Sequence, residues 1–455
     1  MPDHFDLAVS GGTVLRPQGK ASLDVLIRDG RIAALAPRDH DYQADRTIDA
    51  SGMYVLPGMV DTHVHLMDPG DAEREDFPAG TLAAASTGIT TVVEHTHGWP
   101  VTTPERLAEK RAHLRGRSHV DYGLAAHVWP DQVGRLGALW RAGVAFFKIF
   151  TCETHGVPAV QPDLMLDLFH ELAVADAACL VHCEDNLITA RAERRLRAQM
   201  RDDPAVLYEW RSREAELVAT GATALLARLT QVRATIAHVS HPGALQVLAA
   251  EQRQGSTAVA ETCPQYLFLR EDEVLKHGTL RKFTPPARIR SDDDEAAMWA
   301  AFNGGAINHL STDHAPSTRA HKGDGGMWGA HFGLPGLDST LPLMIDAALT
   351  GRTSLERVVA AYADAPARRY RLRGKGQLAE GFDADLSIVD PAQRWTLTDD
   401  AVLSKAGWTP FAGKQLRGRV TTTLVRGRAV IMDSMPVNPE VPGGKFLPGP
   451  GATSA

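Results

Sequence analysis

One theme repeats between residues 54 and 312, and it constrains the fold more than any single motif. Short apolar runs alternate with longer helical patterns. The runs are YVLPGMVDTHVH (54–65), TTVVEHT (90–96), DYGLAAHV (121–128), VAFFKIF (144–150), ACLVHCE (178–184), ATIAHVS (234–240), STAVAET (256–262) and AINHLST (306–312). Segments such as TPERLAEKRAHLRG and REAELVATGATALLARLTQ lie between them and carry the helical period. About eight strands alternating with helices over roughly 250 residues or more predict an α/β fold, the (β/α)8 TIM barrel.

The two flanks have a different texture. FDLAVSGGTVL and DVLIRDGRIAAL alternate apolar and polar residues, and the Asp29-Gly30 pair marks a hairpin. DADLSIVD and GRVTTTLVRGRAVI, with Gly427, repeat that texture near the other end. A small β-sandwich built from both chain ends is expected, from residues 1–57 and 376–435, around a barrel at 58–375. Residues 436–455, PVNPEVPGGKFLPGPGATSA, are rich in Pro and Gly and predict an arm or a disordered end.

Polar residues interrupt the apolar runs at corresponding places. In a strand, residues i and i+2 point the same way, so His63 and His65 present two imidazoles to one point. Taken alone, that pair reads equally well as two surface histidines at a strand end. Lys148 breaks AFFKIF, His182 follows ACLV, His238 follows ATIA, and Asp313 follows AINHLST. The C-terminal strand ends of a barrel face one common site. Six metal-competent groups from five strand ends therefore converge.

Lys148 has two readings. It snorkels or pairs with a carboxylate, or burial depresses its pKa. In the second case the neutral amine takes up CO2, and the resulting carbamate is an anionic ligand able to bridge two cations. Imidazole and carboxylate donors without thiolate suit zinc, and also manganese, cobalt or nickel.

Charge and cysteine usage narrow the function classes. Lys and Arg number 48 against 55 Asp and Glu, a net charge of −7 without a basic stripe, which argues against a nucleic-acid partner. No apolar run reaches transmembrane length, so a membrane is not an expected partner. The start, MPDHFDLAVSGG, lacks a signal-peptide layout. Cys152, Cys179, Cys183 and Cys263 are scattered and form no CxxC, so neither a disulfide framework nor a thiolate zinc site is expected, and the cytoplasm is the default compartment.

The ordered motifs resemble the amidohydrolase superfamily, in particular the cyclic amidohydrolases: allantoinase, hydantoinase/dihydropyrimidinase and dihydroorotase. LPGMVDTHVHLMDPG is similar to the family's first metal motif, FFKIF to its carboxylated-lysine strand, VHCEDN and IAHVS to its later histidine segments, and STDHAP to its catalytic aspartate motif. ETCPQYLFL, FTPPAR, GKGQLAEGFDADLSIVDP and WTPFAGKQLRGRVTTTLVRGRAVI extend the likeness over nearly the whole chain. The resemblance implies one metal on His63, His65, Asp313 and carboxylated Lys148, and a second on Lys148, His182 and His238. It also implies a bridging hydroxide that attacks a ring amide carbonyl. Asp313 would accept the proton and pass it to the departing nitrogen. His314 would either hold a ligand in place or make a structural hydrogen bond. Relatives of this kind are often homodimers or homotetramers.

Specificity is less legible. Met67 stands where dihydroorotases carry an Arg, which disfavours dihydroorotate. Glu153 stands where hydantoinases and dihydropyrimidinases carry a Tyr. The segment GMWGAHFGLPGLDSTLPLM (326–344), with Trp328, is more similar to allantoinases. His97, in EHTHGWP, replaces a typical Asn and either touches substrate or is a loop histidine; Trp99 either walls the site or packs beneath the loop. The expectation is hydrolysis of a cyclic amide, allantoin-like or hydantoin-like. Another cyclic imide or ureide, or an acyclic amide on the same two metals, is the alternative. A scaffold protein that has lost its metals is disfavoured, because all six ligand positions are present.

Overall fold

The computed structural model describes residues 3–16, 19–323 and 325–453; residues 1, 2, 17 and 18 of the first β segment and 454 and 455 of the expected arm lie outside the described residues. The barrel strands are β1 (Met59–Val64), β2 (Ile89–Glu94), β3 (Asp121–Leu124, resuming at Ala126–His127) and β4 (Phe147–Phe150). They continue as β5 (Ala178–His182), β6 (Arg233–Ile236), β7 (Val259–Thr262) and β8 (Ile307–Leu310). Neighbours pair in parallel from β1 to β8. A parallel bridge between Val64 and His314 closes the ring, and the His65 N–H donates to the His314 carbonyl at 2.8 Å.

Most of these strands are buried along their whole length, which is why they read as continuous apolar runs rather than as alternations. The outer helices start where the sequence supplies caps. Asp76, Thr103, Ser212 and Ser291 each accept from a backbone N–H three residues on, and Pro104 and Pro242 sit in the first helical turn. Along β4, Phe146, Lys148 and Phe150 share one side; along β5, Ala178, Leu180 and His182 do. Val60, Val93, Phe146, Ala178, Leu180 and Tyr370 form a separate apolar cluster, so Lys148 and His182 stand two residues beyond a packed plug.

The β-sandwich comes from both flanks. Leu386–Thr396 pairs antiparallel with Tyr54–Pro57 and with Gln415–Val425, while Thr13–Arg16 runs parallel to Tyr54–Pro57. Its core mixes Leu7, Val25, Ile27 and Val55 with Leu386, Ile388 and Leu424. The expected hairpin turn at Asp29-Gly30 is present, and a second lies at Arg426-Gly427. Asp29 and Gly30 have φ of 52° and 73°, and Arg426 and Gly427 have 48° and 72°. Both central residues at positive φ give the turn whose twist suits a hairpin. Barrel and sandwich are joined by a buried cation: the Lys375 ammonium donates to Asp121 at 2.6 Å and Asp385 at 2.8 Å, and pairs with Asp383 at 2.9 Å.

The Pro/Gly-rich end does not project as an arm over its described residues. It lies across its own barrel as a strap. The Leu447 N–H donates to the Tyr122 carbonyl at 2.7 Å, the Tyr122 N–H to Lys445 at 2.9 Å, and the Gly449 N–H to Gly143 at 2.8 Å. Composition read as disorder is instead a requirement for close approach. A Cβ on Gly444 would lie 1.9 Å from the Val120 oxygen, and one on Gly449 1.9 Å from the Val144 oxygen. All four cysteines are buried and free. Among the described residues no helix is long and apolar enough to cross a membrane.

The strap gives a first testable outcome. Gly449→Ala should lower unfolding stability by about 1–3 kcal/mol, the range for a forced backbone shift in a packed region. Truncation after residue 442 should cost at least as much, and thermal melts identical to the parent's for both variants would show that the strap contributes nothing.

Candidate functional site

The six groups named from the sequence meet at the C-terminal mouth of the barrel. His63 Nε2 lies 3.1 Å from the Lys148 ammonium and 3.1 Å from Asp313 Oδ1. His65 Nε2 lies 3.3 Å from the same oxygen. Across the mouth, His182 Nδ1 and His238 Nε2 are 3.0 Å apart. His238 and Asp313 hold φ of 38° and 49°, a region costly for non-glycine residues, and such strain concentrates at functional sites.

Three of the four ligand-competent rings, those of His63, His65 and His182, are fixed through their other nitrogen. His63 Nδ1 pairs with Glu261 at 2.7 Å, His65 Nδ1 with the His95 carbonyl at 2.9 Å, and His182 Nε2 with Glu184 at 2.9 Å. Carboxylates or carbonyls behind imidazoles set the tautomer and raise ligand basicity in metal sites. The carboxylates are themselves held. Glu184 accepts from Arg288 and Thr284, each at 2.6 Å, and Glu261 accepts from Ser311 at 3.1 Å. Asp61 accepts from the backbone of His63 and Thr312 and from the Tyr362 hydroxyl, tying β1 to β8 beside the site.

Burial and neighbouring charge set the protonation states. Burial pushes the Lys148 ammonium down to about 8, and pushes His63, His182 and His238 below the usual imidazole range. Burial alone would raise Glu261 and Glu184. The imidazoles and, for Glu184, Arg211 and Arg288 outweigh it and hold both carboxyls well below their ordinary values. Asp313 is lowered in the same way, with His63 and His65 outweighing burial. The result is neutral imidazoles, an amine poised near neutrality and an ionised carboxylate, a donor set suited to divalent cations. Ligand atoms of His63, His238 and Asp313 lie within 4.8 Å of one another, as do those of His63, His65 and His95.

A cavity of about 20 Å³, room for about one water, lies over these groups. Its wall adds His97, Phe150, His155, Thr284, Ala315, Phe332 and Gly333. An outer hollow of about 320 Å³ shares His155 and Phe332 with it and includes Glu153, Asn186, Trp210 and Arg211.

The residues singled out for specificity separate in space. His97 lines the inner cavity and stacks on His155, with ring centroids 4.4 Å apart. Glu153 is exposed in the outer hollow, because its strand ends at Phe150 and the chain turns outward. Met67 is buried with its sulfur on the Thr96 hydroxyl, away from the cavity wall. Trp328 does not reach the wall: its indole N–H donates to the Arg201 carbonyl at 2.6 Å, and its ring packs on Trp210. His314 does not reach the cavity wall; its ring accepts from the Gly336 N–H at 3.0 Å and faces Glu75 at 3.3 Å. Trp99 lies under the Arg106 guanidinium.

Several groups escaped the sequence reading. His95 repeats, with His97, the one-residue spacing of His63 and His65, which was a usable signal. Glu261 and Glu184 lie inside quoted strand motifs, but nothing local marks them as partners of distant histidines. His155 and Phe332 come from loops without periodicity.

A model described as the amidohydrolase family matches residues 54–430. The allantoinase of Rubrobacter xylanophilus is 35% identical over 450 residues, 97% of each chain. The allantoinase of Solibacter usitatus is 34% identical over 431 residues, 93% of each. Among solved structures, the L-hydantoinase (dihydropyrimidinase) from Arthrobacter aurescens superposes with a TM-score of 0.93 at 30% identity, covering 98% of this chain and all of that one.

The carboxylate behind His63 can be tested directly. Glu261→Gln should weaken zinc retention about 10–100-fold, the usual cost of losing an outer-shell partner. Zinc per chain at buffered free zinc is the measurement, and an unchanged midpoint would show that Glu261 does not support the ligand.

Proposed function

The chain belongs to the amidohydrolase family, and from that premise we propose that it opens a cyclic amide or ureide ring by hydrolysis, with an allantoin-like or hydantoin-like substrate. The observation that carries this reading is the meeting of His63, His65, Lys148, His182, His238 and Asp313 at one barrel mouth. Relatives named allantoinase and L-hydantoinase support a ring as substrate.

In this reading His63, His65, Asp313 and Lys148 would hold one divalent cation, and Lys148, His182 and His238 would hold another. The neutral Lys148 amine would add CO2 and release a proton, giving a carbamate whose anionic oxygens would complete the donor set. The cations, zinc by donor type with manganese, cobalt or nickel as substitutes, supply Lewis acidity at the amide carbonyl and make water a better nucleophile.

The protein's own groups do the rest. Asp313 keeps part of its carboxylate open to the cavity, 13% exposed where His63 is 1%. It takes the proton of the attacking water and delivers it to the ring nitrogen as the C–N bond breaks. That delivery is necessary because an unprotonated amide nitrogen is a poor leaving group. Phe150, Phe332 and the His97–His155 stack exclude bulk water. The inner cavity is smaller than a ring, so substrate enters from the outer hollow past His155 and Phe332.

A homodimer or homotetramer fits the exposed Val218, Leu225 and Leu229 on one face of the helix Arg213–Thr230. Free buried thiols fit a reducing, cytoplasmic setting.

The test is a panel of allantoin, hydantoin, 5-substituted hydantoins, dihydrouracil, dihydroorotate and phthalimide, read by mass spectrometry as the gain of one water. Allantoin or a hydantoin should open with the zinc-loaded protein, and Asp313→Asn should be slower by about 10²–10⁴-fold. Opening of phthalimide alone would move the substrate to larger imides, and no opening with both metals bound would sink the cyclic-amide reading.

The lysine gives a pH test. With its pKa near 8, the neutral fraction of Lys148 rises about tenfold between pH 7 and pH 9. At fixed dissolved CO2, the rate of carbamate formation on apoprotein, followed by its 13C carbonyl signal, should rise in proportion. A pH-independent rate, or a signal surviving in Lys148→Arg, would remove the carbamate from the site.

A further inference from the structure

His95 is the histidine that the functional reading leaves unused, and its surroundings do not account for it. It follows β2 and is fully enclosed. Neither of its ring nitrogens has a hydrogen-bond partner among the described residues. Buried polar groups are normally paired, so an imidazole with two orphan nitrogens calls for a ligand.

Its neighbours say which kind. The His63 and His65 rings lie 4.8 and 4.7 Å from it, centroid to centroid, and Phe146 closes another side. The second nitrogens of both histidines are already engaged, on Glu261 and on the backbone carbonyl of His95 itself. Their remaining Nε2 atoms face Asp313, where a cation would sit. One ligand nitrogen from each of His63, His65 and His95 lies within 4.8 Å of the other two. A cation satisfies several imidazole lone pairs at once, whereas imidazoles paired with each other need a proton between every two.

We propose that His95 is a third imidazole ligand of the divalent cation held by His63 and His65. The proposal rests on the metal centre described under the proposed function and adds to it a donor from β2, a strand that otherwise contributes none. Such a cation has one fewer position to offer to water or substrate, so the neighbouring cation on His182 and His238 becomes the more open of the two.

The full-length protein, stripped with chelator and titrated with zinc and separately with cobalt(II), decides the matter when compared with His95→Ala and His95→Leu. The leucine variant fills the space and guards against collapse of the alanine variant. Wild type should hold two metals per chain. Both variants should need at least about tenfold higher free zinc to hold the second, and the visible cobalt band should move, while the metal-free melting temperature of His95→Leu stays level or rises. Unchanged zinc midpoints and cobalt spectra in His95→Leu would overturn the proposal and leave the metal centre intact. Failure of wild type itself to take up metal would overturn the metal centre and this ligand together.

Discussion

Four imidazoles, an amine and a carboxylate crowd into a nearly dry barrel mouth, and the fold has to make that crowding tolerable. An unpaired charge or polar group there would cost several kcal/mol. Two buried carboxylates, Glu261 and Glu184, offset that cost. One stands behind His63 and the other behind His182, and each is braced by further donors: Ser311, just after β8, for Glu261, and Thr284 and Arg288, after β7, for Glu184. The arrangement turns each ring so that its free nitrogen faces the centre of the mouth. Because these carboxylates link β1 and β5 to the segments after β7 and β8, rigidity of the site is inherited from closure of the whole barrel.

The barrel and its polar interruptions were legible because both obey local periods. Fully buried strands give unbroken apolar runs, and a polar residue within one, such as Lys148 in AFFKIF, stands out by chemistry alone. The hairpin turn at Asp29-Gly30 was legible through the backbone geometry it demands. What escaped depends on three-dimensional proximity. Glu261 reads as an ordinary strand acid until it is found against a histidine 198 residues away. Trp328 and Met67 looked placed for substrate because of their spacing to other motifs, yet loop geometry turns both into packing. The Pro/Gly-rich end was misread for a related reason. Glycine reports equally on freedom and on tight contact, and only the Val120 and Val144 carbonyls say which applies.

The two modules are mechanically continuous. Lys375 draws together Asp121 from β3 and Asp383 and Asp385 from the entry to the sandwich, and the Arg426 backbone N–H donates to Asp385 at 2.8 Å. The strap passes over the same strand, at Tyr122. The base of β3 is thus held by the sandwich and by the end of the chain. Its other end leads to His127, whose ring Nε2–H donates to the His95 carbonyl at 3.2 Å.

The seam between β1 and β8 carries a consequence for biosynthesis. The Thr312 hydroxyl donates to the His63 carbonyl across 249 residues of sequence, and Asp313 follows it directly. A nascent polypeptide leaving the ribosome exposes His63, His65, Lys148 and His182 long before that partner exists. Until the seam forms, those groups lie on unconnected strands and share no common point. A cation site built from these groups would therefore be complete only after Asp313 has been made, and a ribosome-stalled or truncated product that stops short of it would lack that donor in a cell's competition for scarce metal.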